Sequence, residues 1–248
     1  MHAARAARSA LRRAAPATLI ARRSLFVEIE RDVVRPAALA AYKARVAAHG
    51  AARGALDEGY RASFGVAVGR TSSVYHLGTV ADYDARDARD AAEGLRAPLA
   101  GVDATETSVF AEATATLAGA GLPGLAGGAV VDAAPGAVYE LRTYELVLGY
   151  ATVPRFLELY AAGLADKLAV DDTGESTLVS LLHSEAGVAP LNTVIELWRH
   201  DSAQGSMRSR VKSREATTWR AAIGDIAAIS TRFETQLLAP LYAQGLQR

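Results

Sequence analysis

The segment 138–198 constrains the fold of this chain most strongly, because it belongs to a plan of elements that the chain repeats. Hydrophobic periodicity predicts a strand, a helix, two strands joined by a turn, a long helix and a closing strand, at 138–146, 153–168, 176–185, 192–200, 202–229 and 231–238. Asp201 precedes the long helix and is its expected N-cap. The order strand, helix, hairpin, helix, strand is the βαββαβ plan of a ferredoxin-like unit.

A weaker copy of this plan lies upstream. Its predicted elements are strands at 25–33, 63–68, 73–80 and 105–113 and helices at 36–53 and 81–96. Along the first strand, Val27, Ile29 and Val33 alternate with acidic residues. We therefore expect this strand to be half-buried, with its apolar face on the core.

The two copies align with a small shift in spacing. Glu28 matches Glu140 at an offset of 112, and residues 74–77 (VYHL) match 194–197 (VIEL) at an offset of 120. This internal repeat predicts an α+β fold in which two tandem ferredoxin-like units form a pseudo-dimer of the dimeric α/β-barrel type. The predicted domains are 25–116, which is the degenerate copy, and 138–248, joined by a Gly-, Ala- and Pro-rich linker at 117–137.

The first 24 residues have the composition of an organellar transit peptide. Residues 1–26 hold six arginines and no acidic residue. We therefore expect import into mitochondria, with the matrix as the destination and the chloroplast as the alternative.

The rest of the chain is mildly acidic, because the six arginines leave 21 of the 27 basic residues for it, against 27 acidic ones. A mildly acidic body disfavours nucleic-acid binding, which needs clustered Lys and Arg.

Several classes of site are excluded by the sequence. The absence of cysteine excludes disulfides, iron–sulfur clusters and a cysteine nucleophile. No apolar run is long enough for a transmembrane helix. No dinucleotide fingerprint, P-loop or HExxH motif occurs, and five widely spaced histidines give no metal triad. We therefore predict neither a cofactor nor a metal site.

The second copy resembles the NIPSNAP family. The motifs that carry the resemblance are 139–144 (YELRTY), 156–160 (FLELY), 184–187 (SEAG), 191–202 (LNTVIELWRHDS), 233–238 (FETQLL), Trp219 and the arginines at 208, 210 and 214. The resemblance covers roughly 138–240 and is weaker over 26–115. The chain departs from the family pattern at Glu196, where the family often has His, and at Gly78, where the first copy lacks the Trp.

The resemblance implies a dimeric α/β-barrel fold and a mitochondrial protein of interaction, vesicle transport or mitochondrial quality control, with no settled enzymatic activity. The alternatives are a small-molecule enzyme of the monooxygenase-like barrel type and a lipid- or metabolite-binding barrel. A cavity inside the sheet of one half, with His183, Glu185 or His76 facing it, would favour the enzyme. Protein partners are expected, and homo-oligomerisation is left open.

The candidate catalytic residues lie on predicted strands. His183 and His76 are histidines on core strands, able to act as a general base or, for His183, as a haem ligand. Glu185 and Glu196 belong to one predicted hairpin and would form an acid–base pair if both faced the barrel interior. The alternatives are a hydrogen-bonded structural histidine and carboxylates that are solvated or paired with arginine.

Four further residues are candidates for ligand binding. Arg142 would bind an anion or tie its strand to a nearby carboxylate. Asn192 follows a turn and is expected to bond backbone groups there. Tyr144 and Trp198 are expected to be core aromatics. The basic residues of one helical run offer a contact to a partner or to anionic lipid, namely Arg208, Arg210, Lys212 and Arg214.

Overall fold

The computed structural model describes residues 26–84, 86–87, 100–185 and 188–244. The elements of the first half whose bounds lie within the described residues are β1 (Phe26–Val34), a 3₁₀ turn (Pro36–Ala38), α1 (Leu39–Leu56), β2 (Tyr60–Val68), β3 (Ser73–Val80) and β4 (Val102–Glu112). Pro36 opens the turn because proline needs no partner for a backbone N–H at a helix start. Most of the helix expected at 81–96, and residues 1–24 that are predicted to be a transit peptide, lie outside the described residues.

The second half contains four strands and three helices, and a short helix precedes it. These elements are α2 (Thr114–Gly119), β5 (Val138–Leu146), α3 (Thr152–Val170), β6 (Ser176–Ser184), β7 (Thr193–His200), α4 (Ala203–Ser213), α5 (Thr217–Ala228) and β8 (Ser230–Ala243). No helix in the described ranges is long and apolar enough to cross a membrane.

The single helix expected at 202–229 is wrong, because the chain breaks it between α4 and α5. Ala216 is extended and fully buried, and the Asp166 carboxylate of α3 accepts a hydrogen bond from the backbone N–H of Thr218 at 2.7 Å. A side chain from another helix thus caps the start of α5. The expected cap of α4 is also displaced by one residue, since the Ser202 hydroxyl rather than Asp201 accepts from the N–H of Gly205.

The eight strands form a closed antiparallel barrel in the order β1-β3-β2-β8-β5-β7-β6-β4. Pairs β2–β8 and β4–β6 join the two halves. β8 continues beyond its expected end at 238, because its last residues pair with β2 while its first part pairs with β5. The fold is therefore a mixed α/β structure with a closed barrel, and the expected meeting of two sheets in one barrel is observed.

The register of the two halves agrees with the sequence repeat. Glu30 lies opposite His76 in the pair β1–β3, and Arg142 lies opposite Glu196 in the pair β5–β7. These positions are related by the offsets of 112 and 120 that the sequence alignment indicates. Glu30 is thus equivalent to Arg142, and His76 to Glu196.

The barrel interior is filled by apolar side chains of both halves. Alternate residues of each strand point inward, because side chains alternate between the two faces of a sheet. The core includes Val27, Ile29, Phe64, Tyr75, Leu77, Phe110, Tyr139, Leu141, Ile195, Leu197 and Leu238. Phe64 and Tyr139 contact each other across the two halves, with ring centroids 4.9 Å apart.

The outward faces of the central strands are covered too. The acidic face of β1 is buried, with Glu28, Glu30 and Asp32 only 4–6% exposed. The expected half-buried strand is therefore wrong, because the first half places helix α1 over the end of this face and Arg86 pairs with Glu28. Helix α1 and Arg86 thus shield the acidic residues of β1 from solvent.

The segment between the halves is attached to the barrel. Leu125 and Val131 are buried in the common core. The Glu112 carboxylate at the end of β4 accepts hydrogen bonds from the backbone N–H groups of Leu125 and Ala126 at 2.7 and 2.8 Å, and from the Ser180 hydroxyl at 2.6 Å. One buried carboxylate therefore fixes the connection against both halves.

Candidate functional site

Two polar clusters occupy equivalent places, on the outward sheet face under the helices. The first-half cluster consists of Glu30, Asp32, Tyr42, Ser63 and His76. The second-half cluster consists of Glu140, Arg142, Tyr144, Lys167, Glu196 and Trp198. In both clusters the central strands supply the carboxylates, and a helix supplies a residue that covers them. This residue is Tyr42 in the first half and Lys167 in the second.

His76 lies at the centre of the first-half cluster. Its Nδ1 is 2.5 Å from Ser63 Oγ and its Nε2 is 3.1 Å from Asp32 Oδ2. Asp32 also accepts hydrogen bonds from the hydroxyls of Tyr42 and Thr105. Burial acts to raise the pKa of Asp32, but these hydrogen bonds outweigh it and hold the pKa below its ordinary value. Asp32 is therefore ionised at neutral pH.

The order Ser63, His76, Asp32 resembles the side chains of a nucleophilic triad. Ser63 has no exposed surface, and its hydroxyl is also bonded to that of Tyr60. A substrate carbonyl thus has no route to this hydroxyl. The arrangement supports a buried hydrogen-bonded chain and gives no support to a hydrolase.

Arg142 lies between two fully buried carboxylates of the second-half cluster. Its guanidinium is 2.9 Å from Glu140 and 3.3 Å from Glu196. Burial acts to lower the pKa of Arg142, but the negative charges of Glu196 and Glu140 raise it above its ordinary value. The expectation that Arg142 ties its strand to a nearby carboxylate is confirmed.

Glu140 receives hydrogen bonds from several elements. Its partners besides Arg142 are His200 Nε2 at 3.2 Å, Thr235 at 2.7 Å, Ser206 at 3.4 Å and Arg210. Burial acts to raise the pKa of Glu140, but the hydrogen bonds from His200 and Arg142 hold it well below its usual range. The carboxylate thus connects the sheet to helix α4.

Glu196 accepts hydrogen bonds from the Tyr144 hydroxyl at 2.8 Å and from Trp198 Nε1. Burial, and then the charge of Glu196, raise the pKa of Tyr144 well above its ordinary value. Tyr144 and Trp198, expected as core aromatics, are therefore core residues that also donate hydrogen bonds. Tyr160 is fully buried beside them, and burial raises the pKa of its hydroxyl.

Lys167 of α3 is buried to 3% exposure in the second-half cluster. Its Nζ donates to Ser213 Oγ at 2.8 Å and lies 4.4 Å from the centre of the Trp198 ring and 5.4 Å from that of Trp219. Burial, and then the nearby charge of Arg142, lower the pKa of Lys167 to about 8. A fraction of this amine is therefore neutral near physiological pH, which is a property of functional lysines.

Glu185 and Glu196 do not form the acid–base pair that was considered if both faced the barrel interior, and the alternative of a carboxylate paired with arginine is observed for Glu196. Glu196 pairs in register with Leu181 on the outward face of the sheet and is fully buried. Glu185 lies beyond the end of β6 and is exposed, 3.9 Å from His183 Nδ1. Burial lowers the pKa of His183 below its ordinary value, so this histidine is neutral at pH 7.

The barrel interior formed by the described residues contains a small cavity. A cavity of about 20 Å³ lies between the halves, lined by Ile29, Phe64, Tyr75, His76, Leu77, Leu141, Leu182, Leu197 and Leu238. This volume holds about one water molecule. His76 contributes to the lining, whereas His183 and Glu185 do not. This cavity is far smaller than a small-molecule substrate site.

An apolar surface, which we term the loop patch, lies at one end of the second half. It comprises Val147, Leu148, Tyr150 and Leu191, exposed by 43%, 81%, 105% and 59%. Asn192 fixes it, because its side-chain amide donates to the carbonyls of Val147 at 2.7 Å and Gly149 at 3.2 Å. The expected backbone-bonding role of Asn192 is therefore confirmed.

The basic run of helix α4 is largely paired within the chain. Arg208 pairs with Glu175, Arg210 with Glu140, and Lys212 with Asp172 at 3.4 Å. A contact of these residues and Arg214 with lipid or a partner stays a prediction. Such a contact would have to compete with these intramolecular pairs.

Lys167, Glu30 and Asp32 belong to the two clusters but were not predicted as site residues from the sequence. Lys167 continues the apolar stripe of Phe156, Tyr160 and Leu164 at helical spacing, where a charged side chain must be buried. The alternation of Glu30 and Asp32 with Ile29 is also the pattern of a half-buried strand, so it did not indicate that these carboxylates are buried. A search for histidine triads could not find the first-half cluster, because it combines one histidine with carboxylates.

The closed barrel with helices outside it is similar in fold to dimeric α/β-barrel proteins. A candidate monooxygenase from Fusobacterium nucleatum subsp. nucleatum has a TM-score of 0.62 at 10% identity, over 90% of this chain and 95% of that one. An anthrone oxidase-like protein has a TM-score of 0.61 at 11% identity, over 91% and 94%. At these identities the likeness shows the fold alone.

Residues 139–242 match the NIPSNAP family model, so the second half carries a NIPSNAP domain. A NIPSNAP family protein from Agrobacterium tumefaciens str. C58 is 23% identical over 45% of this chain and 91% of that one, with a TM-score of 0.37. None of the curated proteins matches the sequence. The resemblance found in the motifs of the second copy is therefore confirmed.

Proposed function

We propose that this chain is a mitochondrial interaction protein whose NIPSNAP domain binds a protein partner through the loop patch. The observation that carries the proposal is the exposure of Tyr150 and Leu148 on neighbouring loops. Contiguous apolar groups on a monomer surface mark interaction sites. Tyrosine is also enriched among the residues that dominate binding energy.

The charges around the loop patch favour a protein over a lipid surface. Arg232 on the adjacent end of β8 pairs with Glu145 and Glu234. Arg155 in the first part of α3 pairs with Glu158 at 2.8 Å. Anionic lipid is recognised by clustered unpaired cations. The surroundings of the patch therefore fit a partner that offers an apolar face and a neutral or mixed rim.

Proximity labelling in the native cell, with the presequence intact, tests this proposal. The double variant Leu148→Ser/Tyr150→Ser should lose a specific set of labelled proteins that the wild type retains. Val68→Ser is the matched control, because Val68 is 61% exposed at the end of β2, outside the patch. The affinity of a purified partner should fall at least tenfold in the double variant. If the double variant labels the same proteins as Val68→Ser, the proposal is contradicted.

The mitochondrial part of the proposal rests on the arginine-rich, acid-free residues 1–26. A fluorescent protein fused to the C-terminus should co-localise with a matrix marker. Deletion of residues 1–24 should leave the fusion in the cytosol. Co-localisation with chloroplasts instead, or an unchanged distribution after the deletion, would contradict it.

We also infer that each half is a ferredoxin-like unit, so that the chain is a covalent pseudo-dimer. Two observations support this. The strand orders of the two halves, β4-β1-β3-β2 and β8-β5-β7-β6, are equivalent. The pairs Glu30–His76 and Arg142–Glu196 also occupy the same register positions in their halves. Co-expressed segments 25–137 and 138–248 should then assemble into one complex. Independent, non-associating segments would argue against the inference.

A second candidate function, small-molecule chemistry, is favoured by Lys167 in the second-half cluster. A neutral amine beside Trp198 would act as a proton acceptor or add to a carbonyl compound. Treatment with formaldehyde and cyanoborohydride at pH 7 tests access, and Lys43 and Lys212 serve as internal controls. Preferential methylation of Lys167 would support this function. Methylation of the other two lysines alone would exclude it.

A further inference from the structure

The first-half cluster brings together three side chains that are typical ligands of a divalent metal. Glu30, Asp32 and His76 each place a ligand atom within 4.8 Å of the others. All three are 5–6% exposed, so the ligand atoms lie in a place that excludes bulk water. We propose that these residues bind one divalent first-row transition metal ion, such as Mn²⁺ or Zn²⁺. Two carboxylates and one imidazole are a donor set that such ions accept.

Neighbouring hydrogen bonds orient two of the proposed ligands. Ser63 Oγ is 2.5 Å from His76 Nδ1, which leaves Nε2 for the ion. The Thr105 hydroxyl donates to Asp32 Oδ1 at 2.6 Å, so Oδ2 is the oxygen that faces His76 Nε2. Partners of this kind around a ligand are the rule at metal sites.

The separation of the two oriented atoms suits a metal ion. His76 Nε2 and Asp32 Oδ2 are 3.1 Å apart. Two ligands at about 2.1 Å from one ion, at roughly a right angle, lie about 3 Å apart. The Tyr42 hydroxyl donates to the same Asp32 oxygen and is 3.4 Å from Nε2. An arriving ion therefore has to displace this hydroxyl and the proton on Nε2.

The second half shows what a cation does at this place in the fold. There the position equivalent to Glu30 is Arg142, whose guanidinium contacts Glu140 and Glu196. The first half has the Glu30 carboxylate at that position, close to the carboxylate of Asp32. A bound divalent ion would lie against the carboxylates of this sheet face, as the Arg142 guanidinium does in the second half.

Equilibrium dialysis of the untagged full chain, stripped with EDTA and then exposed to Mn²⁺ or Zn²⁺ alone, tests the proposal. We expect one ion per chain by elemental analysis. His76→Gln and Asp32→Asn should each weaken binding at least tenfold. His49→Gln is the matched control, because His49 is an exposed histidine of the same half and should bind as the wild type does.

X-ray absorption of the loaded wild type keeps the test independent of whether the variants fold. One imidazole among oxygen ligands at about 2.0–2.2 Å is the expected environment for zinc. Coordination without an imidazole, no bound ion in the wild type, or unchanged binding in both folded variants would overturn the assignment.

Discussion

The guanidinium of Arg142 lies 3.3 Å from the carboxylate of Glu196, and the carboxylate has no exposed surface. The two residues stand opposite each other on β5 and β7. Removing one partner of a buried ion pair leaves the other charge without compensation, which is costly. The integrity of the second half should therefore depend on this pair.

Arg142→Met should lower the free energy of unfolding by about 3–5 kcal/mol, because it leaves Glu140 and Glu196 without their shared cation. Urea denaturation followed by circular dichroism measures this. Arg155→Met is the control, since Arg155 and Glu158 are an exposed pair on α3 whose loss should cost below about 1 kcal/mol. A loss under about 1 kcal/mol for Arg142→Met would contradict the prediction.

Lys167 should make stability depend on pH. Its folded-state pKa of about 8 is below the ordinary 10.5, so between these values the unfolded state binds more protons. Stability therefore rises with pH across this window, relative to Lys167→Met, by about 3 kcal/mol in total. Urea denaturation of both proteins at pH 7, 8, 9 and 10 isolates the effect, because other groups cancel in the difference. A flat difference would show that the lysine titrates normally.

Two helical glycines should respond oppositely to substitution by alanine. A Cβ at Gly163 of α3 would lie 2.9 Å from Ala222 Cβ and 3.0 Å from Trp219 Cα of α5. Gly163→Ala should thus force α3 and α5 apart and cost about 1–3 kcal/mol. Gly224→Ala should stabilise by about 0.5–1 kcal/mol, because no atom lies within 4 Å and alanine favours the helix. Thermal denaturation of both variants compares them, and equal shifts would refute the close contact.

Asn192 should be sensitive to both conformation and hydrogen bonding. Its φ of 53° lies in the left-handed region, and its amide holds two carbonyls of the loop patch. Asn192→Ala should cost about 1–2 kcal/mol, and Asn192→Gly less, because glycine removes the backbone strain but not the lost hydrogen bonds. Denaturation midpoints give the order, and a glycine variant less stable than the alanine variant would reverse the argument.

The sequence predicted the strands well, because alternation and the repeat reinforce each other. The strand at 138–146 and the equivalence of His76 and Glu196 follow from residue patterns alone. The break before Ala216 was not predictable from local sequence, because the group that caps the start of α5, the Asp166 carboxylate, belongs to helix α3. The burial of Glu30 and Asp32 depends on how helix α1 packs over β1, and the periodicity of the two segments predicts the elements but not this contact. The clearest sequence signal for a buried polar residue was Lys167 on an apolar helical stripe. A search for known motifs does not detect such a signal.

Closure of the barrel within a single chain has an evolutionary consequence. In an assembly of two identical subunits, every mutation appears twice, so equivalent positions cannot diverge. Here Glu30 and Arg142 occupy equivalent positions in the two halves but carry opposite charges. The residues opposite them, His76 and Glu196, are also different side chains. A single chain can therefore lose, change or specialise one site while selection keeps the other.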